Sequence, residues 1–149
     1  MTVTLHLESA ITAVSGLSVT GLTICDLDDI PNAADVRLSY LMPDQGLVTD
    51  FALERVTMGS MHLVGMDATY TLNYRLLYKP VGSERGLANI APGLAALAVD
   101  VIEAILNASA LTGLVKWTPS LADFGIYSDP SENGWYGCRV LIECLDFVQ

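Results

Sequence analysis

Residues 67–79 constrain the fold more than any other stretch. Ala68, Tyr70, Leu72, Tyr74, Leu76 and Tyr78 alternate with Thr69, Thr71, Asn73, Arg75, Leu77 and Lys79. A side-chain period of two, sustained this long, marks a strand with one buried face and one mostly polar face. At ~3.3 Å per residue the strand spans about 40 Å, well beyond the usual five or six residues. It stops at Pro80-Val81-Gly82-Ser83-Glu84-Arg85-Gly86, a turn by its Gly and Pro content.

The flanking segments supply the rest of a small domain. Leu7, Ala10, Ile11, Val14 and Leu17 follow helical spacing and predict a helix over 4–17, with Thr4 or Thr2 as its cap. A short strand is expected at Leu22 to Cys25, then the loop Asp26-Leu27-Asp28-Asp29-Ile30-Pro31. A second strand is expected from Asp35 to Met42, ending at Pro43-Asp44-Gln45-Gly46. Residues 43–66 read either as a long hairpin or as a projecting loop.

After the long strand, a helix is expected from Gly86 or Pro92 to Asn107. Pro92 suits a first-turn position in one case and a kink in the other. Leu94, Leu97, Ala98, Val101, Ala104 and Ile105 give it a wide apolar face, and only Asp100, Glu103 and Asn107 form a polar stripe. So apolar a helix should be covered on most sides. Leu94 to Leu106 reads as too short and too interrupted by acids to span a bilayer. Two final strands are expected, at Leu121 to Tyr127 and Trp135 to Val148. Asn133-Gly134 marks a hairpin between them, because both residues tolerate positive φ. The order helix, strands, helix, strands predicts a single α+β domain over 1–149: two layers, a mostly antiparallel sheet with two helices packed on one face.

Composition bears on function by exclusion. With 52% hydrophobic residues in 149, the chain can build a core without staples. Only 16% of it is charged, which points to surface buried against partners. A net charge of −10 argues against gripping a phosphate backbone. Cys25, Cys138 and Cys144 are an odd set without short spacing, read as buried thiols in a reducing compartment. No charged leader precedes an apolar segment, so no secretory signal is expected and the sequon Asn107-Ala108-Ser109 reads as chance.

Catalytic constellations are scarce. His6 and His62 have no partner at a recognisable spacing. Asp26, Asp28 and Asp29 begin like a calcium loop but lack its glycine and its terminal glutamate. No zinc spacing, phosphate cradle or nucleophile elbow occurs. Trp117 and Trp135 have no interleaved basic residues, so they read as packing groups rather than base-stacking platforms. A non-enzymatic protein without cofactors or metals is expected.

Three pieces together resemble the tail terminator proteins of long-tailed bacteriophages. The first is an N-terminal helix and strand leading into Cys25-Asp26-Leu27-Asp28-Asp29-Ile30-Pro31 and a further strand. The second is Tyr74-Arg75-Leu76-Leu77-Tyr78-Lys79-Pro80-Val81-Gly82, followed by Arg85-Gly86 and a long helix. The third is Trp135-Tyr136-Gly137 before the last strand.

The resemblance implies a virion neck protein, assembled in the host cytoplasm, that forms a ring of copies of itself, expected to be a hexamer. The ring would end polymerisation of the tail tube, contact the tube protein and the head-tail connector proteins, and pass DNA without binding it. No membrane partner is implied. Asp44, Asp50, Glu54, Arg55, Glu84 and Arg85 are the expected oligomer or lumen residues. Head-completion subunits share this size and style, and an intracellular binding or adaptor module is the alternative outside the virion. An enzyme using a carboxylate pair invisible to motif search is the third reading.

Overall fold

A computed structural model describes residues 6–25, 31, 38–58, 62–82, 86–108 and 115–148, with backbone only at 55–58, 62–66, 86–87, 115 and 147–148. Among these residues the elements run α1 (Leu7–Ser15), β1 (Leu22–Ile24), β2 (Ser39–Met58), β3 (His62–Pro80), α2 (Gly86–Leu106), β4 (Val115–Ser128) and β5 (Gly134–Val148). The strands form one curled sheet in the order β1-β2-β3-β5-β4. Only the β1–β2 pair is parallel; the other three are antiparallel. The fold is α+β.

The long alternating strand is the centre of this sheet. β3 is paired on both sides, to β2 and to β5. Its even-numbered residues Ala68, Tyr70, Leu72, Tyr74 and Leu76 are buried. They share one core cluster with Cys138, Val140, Ile142 and Cys144 of β5, as period two requires of both strands. Ala10 and Val14 of α1 and Ile90, Leu94, Ala98, Val101 and Ile105 of α2 complete the cluster. In each helix the buried positions recur every three or four residues, the spacing of one helical face.

Several boundaries differ from expectation, each for a physical reason. β2 does not end at Pro43-Asp44-Gln45-Gly46 but bulges there: Pro43 pairs with Tyr74 and Val48 with Leu72, so residues 44–47 face Asn73 alone. β3 offers a partner for the whole length, and absorbing the insertion keeps the later pairs. Residues 43–58 and 62–66 therefore belong to a long β2–β3 hairpin whose strands have 20 and 19 residues. β4 starts at Val115 rather than Leu121, because pairing with β5 runs through to Val115↔Asp146. Pro119 is tolerated within it because β4 is an edge strand, where a missing donor need not cost a ladder bond.

α2 starts at Gly86, with Pro92 inside it. Counted from Ala88, it has 19 residues of mean hydropathy 1.7, long and apolar enough to cross a membrane by length and composition. The shorter count from Leu94 missed this. Its Ile90, Leu94, Ala98, Val101 and Ile105 are packed in the protein's own core, and 28% of that stretch is buried. α1 begins at Leu7 with His6 as its N-cap; Thr2 and Thr4 lie outside the described residues. The final hairpin forms where Asn133-Gly134 predicts it, but the positive φ falls on Glu132. Gly134 opens β5, and its carbonyl accepts a hydrogen bond from the Val81 N–H.

Two glycines mark close approaches. A Cβ at Gly137 would collide with the Leu76 carbonyl on the adjacent strand, beside a register shift in β3 between Leu77 and Lys79. A Cβ at Gly93 would meet the Tyr78 hydroxyl, which lies against α2 at that point.

Candidate functional site

The face of the sheet opposite the main core carries a polar lock built by two bulges. Arg75 on β3 and Arg139 on β5 are direct cross-strand partners. Like charges set opposite one another repel, so the pair needs compensation. The bulge in β2 presents Asp44, whose Oδ1 lies 3.6 Å from Arg75 Nε and whose Oδ2 lies 4.0 Å from Arg139 Nε. A second bulge, in β4 between Ala122 and Gly125, presents Asp123 at positive φ. Its Oδ2 lies 3.4 Å from Arg139 Nη1. Bulges commonly re-aim a side chain in this way.

Neutral groups complete the lock. Asn73 Nδ2 donates to the Gly46 carbonyl at 3.0 Å and to Thr49 Oγ1 at 2.8 Å, holding the β2 bulge. Arg139 Nη2 donates to Asn73 Oδ1 at 3.5 Å. Arg75 Nη1 donates to the Ser128 carbonyl at 2.7 Å, tying the end of β4 to β3 across β5. The Tyr127 hydroxyl donates to the Asp123 carbonyl. Burial, and then the Asp123 carboxylate, raise the Tyr127 pKa above its ordinary value.

A second polar cluster lies at the start of α1. The buried Asp146 carboxylate accepts a hydrogen bond from the His6 backbone N–H at 2.7 Å and lies 2.7 Å from His6 Nδ1. The Tyr70 hydroxyl donates to it at 3.3 Å. Burial, then the Cys144 and Asp146 charges, push the Tyr70 pKa up. This cluster joins the first helix to the last strand. An acid at a helix N-terminus also meets the positive end of the helix dipole.

The thiols of Cys138 and Cys144 are pushed up to about 12 by burial, with Asp146 adding to the rise at Cys144. They are therefore protonated and unreactive near neutral pH. Among the described residues no group of three or more His, Cys, Asp or Glu could hold a metal ion. Trp135 is buried beneath Tyr40, edge to face at 5.6 Å, and its Nε1 donates to Asp129 Oδ2 at 2.9 Å.

Of the six oligomer or lumen residues expected from sequence, the structure brings Asp44, among the described ones, into the polar lock, as an ion-pair partner rather than a loop residue. Asp50 lies in β2 at positive φ beside another register shift. It lines a cavity of about 440 Å3 with Lys116, Thr118 and Glu143. Glu54 is exposed and sits opposite Asp67. Arg55 has its backbone in β2 and its side chain outside the described residues, and Glu84 and Arg85 lie outside them altogether. The same holds for the side chain of His62 and for Asp26, Asp28 and Asp29.

Sequence reasoning missed Arg75, Arg139, Asn73 and Asp123. The available signal was a pair of arginines on the polar face of two strands. It also missed the pairing of His6 with Asp146, for which 140 intervening residues leave no local signal. No protein-family model matches the chain, and no curated protein matches it.

Proposed function

We propose that this chain is a structural subunit of a ring in the neck of a long-tailed bacteriophage. In this reading it ends polymerisation of the tail tube and offers the surface to which the head is joined. The observation that carries it is the exposure of large apolar side chains on separate elements. Val99 and Leu106 on α2 are each 58% exposed. Ile126 and Phe124 on β4 are 63% and 40% exposed, and Val81, which flanks Gly134 together with Ile126, is 44% exposed. Non-identical apolar patches on one subunit suit head-to-tail contacts, which close into a ring when the rotation allows.

Both helices lie on one face of the sheet in this reading, giving two layers, with α2 shared between the subunit's core and its neighbour. The polar lock then stiffens the opposite face. Six copies at −10 each would surround the bore with negative charge, and DNA would pass without sticking. Asp44, Asp50 and Glu54 are the described acids assigned to the bore. The partners are further copies of this chain, the tube protein and the connector proteins. No catalysis, cofactor or membrane is involved, and the protein resides in the virion after assembly in the host cytoplasm.

Native mass measurement over a concentration series tests the ring. Six-copy species should appear as concentration rises, and Val99→Asp with Ile126→Asp should abolish them while the monomer stays folded. A wild-type protein that remains monomeric or dimeric throughout would favour a binding or adaptor module instead. Deletion of the gene should yield tails of uncontrolled length or tails without heads, and normal tails would remove the role.

A further inference from the structure

We propose that α1 is a latch, a helix that opens from the sheet as a unit while α2 and β2 to β5 stay folded, and that Asp146 holds it shut. The helix is only nine residues long and fully buries just Ala10 and Val14. Leu7, Ile11, Ala13 and Leu17 are partly buried against the same core. Among its described residues α2, by contrast, fully buries five that are apolar. A cavity of about 730 Å3 separates the two helices, lined by Glu8, Thr12 and Leu17 on one side and Ala104 and Asn107 on the other. α1 is therefore supported mainly from beneath.

Among the described residues, the hydrogen bonds that tie α1 to the sheet are those from His6 to Asp146. Asp146 is fully buried, and no described lysine or arginine pairs with it. A buried carboxylate is stable only while donors satisfy it. With α1 closed, the His6 backbone N–H and the Tyr70 hydroxyl donate to it, and His6 Nδ1 lies at hydrogen-bond distance. With α1 lifted, water replaces the contacts of His6. The contacts made inside the protein hold the carboxylate more strongly than water does, and it is poorly satisfied in between, which favours the closed state and makes the element two-state rather than continuously deformable. The chain after the helix suits a hinge: residues 16–21 lie between α1 and β1, with Gly21 at φ +79°.

Hydrogen exchange on the full chain, read by mass spectrometry, tests it. Amides of α1 should exchange through an opening at least tenfold more populated than that of β3 and β5, since sub-global opening precedes global unfolding. Asp146→Asn, which keeps the shape but removes the charge, should speed α1 exchange about tenfold further and leave residues 70–76 unchanged. His6→Ala serves if Asp146→Asn does not fold, because it removes the ring and retains the backbone donor. Exchange of α1 in step with β3 and β5 would overturn the latch. Variants that leave α1 unaffected, or that speed every strand equally, would overturn the role of Asp146.

Discussion

The two faces of β3 and β5 are made by the same backbone and held in different ways. On one face Tyr70, Leu72, Tyr74 and Leu76 lie beside Cys138, Val140, Ile142 and Cys144, and burial of apolar area stabilises them. On the other, Asn73 and Arg75 lie beside Arg139 and are tied by ion pairs and hydrogen bonds to Asp44, Asp123 and the bulged strands. The apolar face tolerates imprecision in direction but not in volume. The polar face needs directed partners, and those partners come from two irregularities in the outer strands. The contrast ties the bulges at residues 44–47 of β2 and at Asp123 of β4 to the polar face.

The largest effect that bears on the comparison should come from the backbone the two faces share. Gly137→Ala places a methyl group on the Leu76 carbonyl and should cost about 3 kcal/mol or more, read by urea denaturation. A milder loss would mean that the β3–β5 ladder can slide at its bulge. Leu72→Ala on the apolar face should follow closely, at about 3 kcal/mol, because it empties a fully buried site.

Asp129 comes next, at the turn that links β4 to β5. Burial alone would raise its pKa, but donors from Trp135, Asn133 and Ser131 outweigh burial and hold it below the ordinary value. A lowered folded value means stability that is present at neutral pH and lost as pH falls through the folded pKa, below the ordinary aspartate range. Asp129→Ala should cost about 2 kcal/mol by leaving buried Trp135 Nε1 without an acceptor, and should flatten the acid limb of the stability profile. The smallest effect should come from the polar lock. Arg139→Ala should cost about 1 kcal/mol, since its acidic partners are partly or largely exposed and screened. Added salt should shrink that cost. A loss equal to that of Leu72→Ala would erase the distinction between the faces.

How much was legible follows from which forces act locally. The alternation at 68–76 and 138–144 foretold the buried face because period two and burial are properties of neighbouring residues. The spacing Leu94, Ala98, Val101, Ile105 foretold the inner face of α2 in the same way. Val99 and Leu106 lie outside that inner face and stand exposed on the subunit. Pro43 and Gly46 predict the end of a strand from sequence alone, because turn residues and bulge residues share the same chemistry. Whether the chain turns or bulges depends on a partner strand, and β3 supplies it from nearly thirty residues away.

By itself, the order of residues determined the core stripe of each long element, the sites of the turns at Val81-Gly82 and before Gly134, and the α+β class. Those depend on side-chain periodicity and backbone preference, which act over a few residues. Only the tertiary structure decided that Asp44 meets Arg75 and Arg139, that Asp123 joins them, and that Asp146 closes on His6. Charge pairs have no period, and their partners are chosen by strand register and by where the bulges fall.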